Sequence, residues 1–192
     1  DNAAKVDVEQ FPVHFYAIGG STGGEGGGNE QPNPPAVDYV TAPVAGTGYH
    51  LASNKSGTKM YITGETGSST WYLATTENVA EAKEVKLEAV TGGYRLYFMD
   101  GNTKTYIRIS ERDAANGKGT LELTTTAPAE VMVYDAAANT LVVNCASGHS
   151  YYLGTYAAST YTTLQVSNTS YITGDNAAKV DVEQFPVHFY AI

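Results

Sequence analysis

Short apolar runs separated by turn residues fill most of the chain after residue 41. The runs are rich in β-branched and aromatic residues, and Gly, Asn, Asp or Ser stands between them, which is typical of one strand following another. Asp100, Gly101 and Asn102 form a turn signal that predicts a type I′ hairpin, which has a two-residue loop. Only residues 78–83 favour a single helical turn. The pattern therefore predicts an all-β protein.

A threefold repeat organises residues 42–192. Apolar residues 11 positions apart recur in three units, as Leu51 and Ile62, Leu96 and Ile107, and Val142 and Leu153. One tyrosine register runs through Tyr61, Tyr106 and Tyr152, and a fourth apolar run closes each unit at residues 84–87, 130–133 and 184–187. Three units of four strands, about 12 short strands in all, resemble a β-trefoil, whose units share a core around a threefold axis. A β-sandwich is the alternative, although its strands would not show a threefold register.

An exact duplication is the second feature of the chain. Residues 1–18 recur without change at residues 175–192, and the repeated segment reads DNAAKVDVEQFPVHFYAI. Residues 19–41 are rich in Gly and Pro, which predicts a linker between the leading copy and the domain. The expected organisation is therefore a duplicated strand segment, a linker, and a β-trefoil domain at residues 42–192.

The duplicated strand is the main candidate for an assembly element. A β-trefoil has one place for the last strand of its third unit, and this chain carries that strand twice. In an extended strand alternate residues share a face, which predicts that His188 is exposed on the face opposite Val187 and Phe189. The predicted assembly residues are Phe11, Val13, Phe15 and Tyr16 in the leading copy and Phe185, Val187, Phe189 and Tyr190 in the trailing copy.

Three arrangements are compatible with two copies and one place. In a donor-strand arrangement, residues 1–18 fill the barrel and residues 175–192 reach into the next one. In a beads-on-a-string array, residues 175–192 complete their own barrel and residues 1–18 belong to the preceding unit. In an engineered chain, the front copy is a deliberate strand supplement. The first two arrangements predict identical neighbouring subunits or repeats as partners.

Composition and charge exclude several classes of partner. The 192 residues carry 11 Lys and Arg against 20 Asp and Glu, a net charge of −9, and only 16% of them are charged. Nucleic-acid binding needs a basic patch for phosphate contacts, so DNA and RNA are not expected partners. No apolar stretch approaches the roughly 20 residues of a membrane span, so membrane insertion is not expected. The single Cys145 excludes an intramolecular disulfide and is expected to be a small core residue.

No residue pattern points to catalysis or to a metal site. The four histidines occupy three distinct positions, because His14 and His188 are one site in two copies, and no metal-ligand spacing connects them. The chain also lacks the patterns of a nucleophile elbow, a phosphate-binding loop and a carboxylate pair for sugar cleavage. We therefore expect a protein that is not an enzyme and that has no catalytic residues, metal or cofactor.

Aromatic richness leaves carbohydrate binding as the alternative function, with glycans as the partner. Aromatic rings stack on sugar faces, and the chain has 15 Tyr and one Trp, but the Gln-x-Trp motif of ricin-type trefoils is absent. Tyr61, Tyr106 and Tyr152 repeat at one register and are expected in the core or at its rim. The remaining candidates are Trp71, Tyr72, Tyr97, Tyr151, Tyr156 and Tyr161, among which we select Trp71, Tyr97 and Tyr156 as the possible stacking residues.

Several segments are similar to tail domains of large secreted proteins from anaerobic Gram-positive bacteria. They read TGGYRLYF at 91–98, YYLGTY at 151–156, SYI at 170–172 and QFP at 184–186. The resemblance covers roughly residues 42–192 and its motifs are structural, so it transfers no functional residues. It implies an extracellular or cell-surface location. The sequence as a whole predicts a non-enzymatic repeat unit of an extracellular surface or fibre protein that assembles through the duplicated strand.

Overall fold

Strands dominate the described part of the chain. The computed structural model describes residues 38–55, 57–67, 72–154, 165–168 and 187–192, except for the side chains of residues 54, 55 and 165–168. The strands are β1 (Gly48–Lys55), β2 (Thr58–Thr66), β3 (Leu73–Thr76), β4 (Glu84–Val90), β5 (Gly93–Asp100), β6 (Thr103–Asp113), β7 (Lys118–Thr124), β8 (Met132–Asp135), β9 (Thr140–Asn144), β10 (Ser150–Gly154), β11 (Gln165–Asn168) and β12 (Val187–Ala191). Two short 3₁₀ turns, Val79–Glu81 and Ala114–Asn116, are the helical elements in these ranges. The predicted all-β class and the helical turn within residues 78–83 are confirmed.

The strands form a curled antiparallel sheet in which one pairing pattern recurs. Three runs of consecutive strands pair in order, namely β1–β2–β3, β5–β6–β7 and β9–β10–β11. Strand β4 links the first run to the second, and β8 links the second to the third. The last strand, β12, pairs with β1, so the pairing returns to the first run.

Matching side chains of the three runs meet in one core. Leu51, Leu96 and Leu141 lie 45 residues apart in β1, β5 and β9, and all three are fully buried. Across the hairpins they face Ile62, Ile107 and Leu153, which are also fully buried. In the third run Val142 pairs with Tyr152, so the register places Leu141, not the Val142 of the 11-residue spacing, opposite Leu153.

The strand that follows each run adds one further side chain to the core. Leu87, Tyr134 and Phe189 lie opposite Leu96, Leu141 and Leu51, respectively. In β8, Met132 is buried and Val133 is 38% exposed. Successive side chains of a strand point to opposite faces, so a shift of one residue exchanges an inward side chain for an outward one.

The turn between β5 and β6 shows how local sequence determines a hairpin. Asp100 pairs with Thr103, so the loop has the two predicted residues. Gly101 has a φ of 58°, whereas Asn102 has no positive φ. A type I′ turn needs a positive φ at both central residues, and a type II′ turn needs it only at the first. The predicted hairpin is confirmed, but the predicted turn type is wrong.

Candidate assembly site

Strand β12, from the trailing copy of the duplicated segment, is hydrogen-bonded along both of its edges. One edge pairs with β1 over five positions, from Val187 opposite Ser53 to Ala191 opposite Tyr49. On the other edge, the amide of Val40 donates to the carbonyl of Phe189 at 2.7 Å, and the amide of Val187 donates to the carbonyl of Asn139 at 2.7 Å. We call the place bounded by β1, Val40 and Asn139 the strand slot.

The inward face of β12 supplies apolar contacts. Val187 and Phe189 are fully buried, as predicted. The Phe189 ring meets the rings of Tyr49 and Tyr134 edge to face, with centroid distances of 5.6 and 5.3 Å. Full burial of an apolar side chain stabilises a fold by about 1.5–3 kcal/mol, and edge-to-face aromatic pairs add to this. The inward face therefore contributes both apolar burial and aromatic contacts to the stability of the strand in the slot.

The outward face of β12 is covered as well. The ring of His188 lies 4.1 Å from the ring of Tyr39, centroid to centroid, and His188 is only 7% exposed. Tyr190 is 8% exposed, with Lys59 Nζ 4.3 Å from its ring centroid and the Tyr61 ring at its edge. The predicted exposure of His188 is wrong, because strand alternation determines which face a side chain takes but not what covers that face.

The cover over His188 is a three-residue segment, Asp38–Val40, which we call the strap. Asp38 forms an ion pair with Lys59, and this hydrogen bond holds the pKa of the Asp38 carboxyl below its ordinary value. The hydroxyl of Tyr39 accepts a hydrogen bond from Asn139 Nδ2 at 3.3 Å. With the bond from Val40 to β12, each residue of the strap has its own attachment to the sheet or to the strand.

Asn139 connects the strap, the slot and the core. Its backbone has a φ of 52°, in the left-handed region that Asn tolerates better than most residues, and its carbonyl accepts from β12. Its side-chain oxygen accepts from the hydroxyl of Tyr134 at 2.9 Å. Burial raises the pKa of Tyr134, which keeps that hydroxyl protonated as a donor. Asn139 thus forms one edge of the slot through its backbone and positions the Tyr39 ring through its side chain.

The sequence-predicted assembly residues divide into two groups. Val187, Phe189 and Tyr190 lie in the slot, two facing inward and one outward. The other predicted residues, Phe11, Val13, Phe15, Tyr16 and Phe185, lie outside the described residues.

Of the three predicted stacking residues, Tyr97 lies in the described part of the chain. Tyr97 is only 9% exposed, and Lys104 Nζ lies 4.3 Å from its ring centroid, so one face of the ring is already in use. Tyr151 is fully buried, which contradicts its place among the stacking candidates. Tyr61 and Tyr106 are buried, and Tyr152 at the same register is partly buried, in line with the expected place in the core or at its rim. Trp71 and Tyr156 lie outside the described residues.

A second polar cluster surrounds Glu111, at the end of β6. Its Oε1 atom accepts hydrogen bonds from Ser147 Oγ at 2.7 Å and Tyr151 OH at 2.9 Å, and His149 Nδ1 lies 2.9 Å away. Ser147 Oγ lies 3.4 Å from that same His149 nitrogen. A serine–histidine–carboxylate relay requires the two partners to contact different ring nitrogens. This cluster lacks that geometry and instead ties the β9–β10 hairpin to β6.

Hydrogen bonds within this cluster stabilise the ionised form of Glu111. The hydrogen bonds from Ser147 and His149 lower the pKa of Glu111, and burial raises the pKa of the Tyr151 hydroxyl. The nearby Cys145 is half-buried beside the core, and burial raises the pKa of its thiol. Within the described ranges, no three His, Cys, Asp or Glu side chains are grouped so that they could hold a metal ion.

Replacing Glu111 by Gln is expected to lower the melting temperature near neutral pH. The melting temperature of the variant should also change less than that of the parent as the pH falls into the acidic range. The carboxylate has a lower pKa in the folded protein than its ordinary value of 4.5. Its stabilisation is therefore present above that value and is lost as the pH falls through the lowered pKa. Thermal melts at about pH 7 and about pH 3 should show a deficit at the higher pH that narrows at the lower one. Glu77→Gln, at an exposed turn, is the control, and a deficit of equal size at both pH values would contradict the expectation.

Comparison with protein-family models, with curated proteins and with solved structures finds no match to this chain. In the ranges that the structure describes, no helix has the length and apolar character needed to cross a membrane. Function is therefore inferred from the strand slot and from the sequence that occupies it.

Proposed function

We propose that this chain is a non-enzymatic repeat unit of an extracellular surface or fibre protein, built on a β-trefoil and assembled head to tail through its duplicated strand. The trefoil is supported by the recurring pairing of three runs with linking strands, and by core leucines 45 residues apart. The extracellular setting is supported by the resemblance of segments such as residues 91–98 to tail domains of secreted bacterial proteins.

The fit between the slot and the duplicated sequence carries the proposal. Residues 187–191 are held in the slot by backbone bonds on both edges, and four of their side chains are buried. Residues 13–17 have the identical sequence, Val-His-Phe-Tyr-Ala. Every contact made by these side chains is therefore equally available to the leading copy of another unit.

The seating of the trailing copy favours one order of assembly. Since β12 occupies the slot of its own chain, that slot is full and the leading copy belongs in the slot of a preceding unit. A tandem array satisfies this order covalently, as beads on a string. Separate chains satisfy it by donating the leading strand to a neighbour whose own trailing strand is displaced.

The carbohydrate-binding alternative gains no comparable support. Tyr97, the described member of the predicted stacking set, is covered by Lys104 and packs against Tyr106. A lectin function would require other aromatic side chains to form the platform.

Strand complementation between two full-length variants tests the proposal. The acceptor carries Phe15→Asp and Phe189→Asp, so that neither copy fits the slot, because a charge in a dry core is strongly disfavoured. Unlabelled wild-type chain is the donor, since its leading copy is spare, and the Phe15→Asp chain is the matched donor control. We expect co-refolding with wild type, but not with the control, to restore the folded spectrum of the acceptor and to yield a heterodimer by light scattering.

Two outcomes would reject head-to-tail assembly. If neither donor restores the acceptor, the slot does not take the leading copy from another chain. If both donors restore it equally, the rescue does not depend on the leading copy. A folding defect in the acceptor alone does not affect the test, because rescue is the quantity measured.

A further inference from the structure

The two faces of β12 are almost equally buried, although the inward face is apolar and the outward face carries His and Tyr. Val187 and Phe189 are fully buried, and His188 and Tyr190 on the opposite face are only 7% and 8% exposed. A strand added to a sheet edge is commonly held by its backbone and selected through side-chain pockets on one face. Here the other face meets side chains of its own.

The contacts on the outward face depend on which residues the strand carries there. Tyr39 packs on a planar ring at position 188, and Lys59 approaches the electron-rich face of a ring at position 190. Both kinds of contact need an aromatic partner, and alanine or an aliphatic residue would provide neither. The inward face requires an aromatic ring at position 189, which packs edge to face against Tyr49 and Tyr134, and the outward face adds a second and separate requirement.

The strap and its attachments hold Tyr39 and Lys59 in place over the outward face of β12. Lys59 contacts both Asp38 and the Tyr190 ring, so the ion pair at the start of the strap also fixes the cation over the strand. Tyr39 is fixed at its hydroxyl by Asn139, which also accepts the backbone bond from β12. The backbone bond from Val40 to Phe189 then sets the distance between strap and strand. The strap cannot pack in this way unless the outward side chains fit.

We propose that the strap makes the slot selective, so that it takes the Val-His-Phe-Tyr segment of a second copy of this chain, residues 13–16, and discriminates against strands that share only its apolar face. The identity of the partner rests on the proposed function, while the selectivity is a separate property of Tyr39 and Lys59. In an assembly of many similar strands, such selectivity directs the leading copy to its own kind of slot.

Peptide rescue of the full-length acceptor with Phe15→Asp and Phe189→Asp tests the selectivity. Three synthetic peptides are compared, each spanning residues 1–18: the native sequence, one with His14→Ala and Tyr16→Ala, and one with Val13→Ala. The outward-face peptide is expected to need about tenfold more material for half-maximal rescue than the native peptide, the loss of one aromatic and one cation–π contact. In an acceptor that also carries Tyr39→Ala and Lys59→Met, the difference should shrink to about twofold or less. The Val13→Ala peptide should be impaired equally in both acceptors.

The possible failures are distinguishable. If the native peptide rescues neither acceptor, the slot does not accept the strand from outside and the proposed function fails. If the native peptide rescues but the outward-face peptide is equally effective in the first acceptor, the strap does not select and only this inference fails. If the difference persists after Tyr39→Ala and Lys59→Met, selection comes from elsewhere and the strap is again excluded.

A melting measurement without added peptide checks the same inference without relying on rescue. In a Phe15→Asp background, where the leading copy cannot replace β12, His188→Ala is expected to lower the melting temperature, whereas His14→Ala is expected to leave it unchanged. In a Tyr39→Ala background the effect of His188→Ala should fall to less than about half, because the stacking partner is already gone. An undiminished effect would contradict the role of Tyr39.

Discussion

Alanine at both Phe15 and Phe189 is expected to lower the free energy of unfolding by about 3–5 kcal/mol, the usual loss for truncating a buried phenylalanine. The slot then holds a truncated side chain whichever copy enters it. Phe15→Ala alone should change stability very little, because Phe189 fills the slot. Phe189→Ala alone should cost less than the double change, because the intact leading copy is an alternative occupant with the same sequence.

Urea denaturation of the four chains measures this non-additivity. Because the single Phe189→Ala chain can borrow the leading strand of another molecule, its midpoint should rise with protein concentration, and that of the double variant should not. Equal losses for Phe189→Ala and the double variant, with no effect of concentration, would mean that the leading copy does not enter the slot. A large loss from Phe15→Ala alone would mean that the leading copy is the resident strand.

The register of the first two units could be predicted from the sequence, whereas that of the third could not. Leu96 and Ile107 are direct partners across the hairpin, as their spacing predicts. In the third hairpin the facing residues are 12 positions apart instead of 11, and Leu141 and Val142 are both apolar. Apolar character alone cannot separate two adjacent candidates. The hydrogen-bond register decides between them, and it depends on the loop between the strands.

The inward half of the candidate site was predictable, and the outward half was not. Alternation places Val187 and Phe189 on one face whatever the strand packs against. The strap was assigned to the linker because Gly and Pro dominate residues 19–36, yet Tyr39 and Val40 contact β12. An aromatic and a β-branched residue, Tyr39 and Val40, stand at the end of this polar stretch and were the only signal. Their contact with β12 joins residues about 150 positions apart, which local patterns do not reveal.

Gly93→Ala is expected to destabilise the fold by about 3 kcal/mol, the upper part of the range for forcing an atom into a packed interior. A Cβ at Gly93 would overlap the carbonyl oxygen of Met132, which is backbone and cannot rotate away. Strand β8 pairs with β5 at this point, so the two strands would have to separate. Thermal or urea denaturation measures the loss.

Two neighbouring glycines separate the possible causes. Gly92 has a φ of +90° and nothing within 4 Å of an added Cβ, so Gly92→Ala adds only backbone strain, about 1 kcal/mol. Gly48, at the corresponding position 45 residues earlier, would meet only the side chain of Glu84, which can move. Losses of equal size for Gly93→Ala and Gly92→Ala would contradict a close backbone contact between β5 and β8.

The position in the third unit that corresponds to Gly93 relates the glycine variants to the strand slot. The residue 45 positions after Gly93 is Ala138, whose side chain is exposed, next to the Asn139 that receives β12. The third junction therefore already tolerates a Cβ where the second requires its absence. Strand β8 lies directly against the backbone of β5 at Gly93, whereas β12 meets Asn139 through one backbone hydrogen bond. Under the proposed assembly, exchange of β12 for an identical strand would have to break the pairing with β1 but no close backbone contact of the kind found at Gly93. Ala138→Gly is expected to destabilise the fold by about 1 kcal/mol, the backbone entropy cost of glycine, and to bring no compensating stabilisation. Together with a costly Gly93→Ala, this result would show that the third junction has room for a Cβ and the second has none.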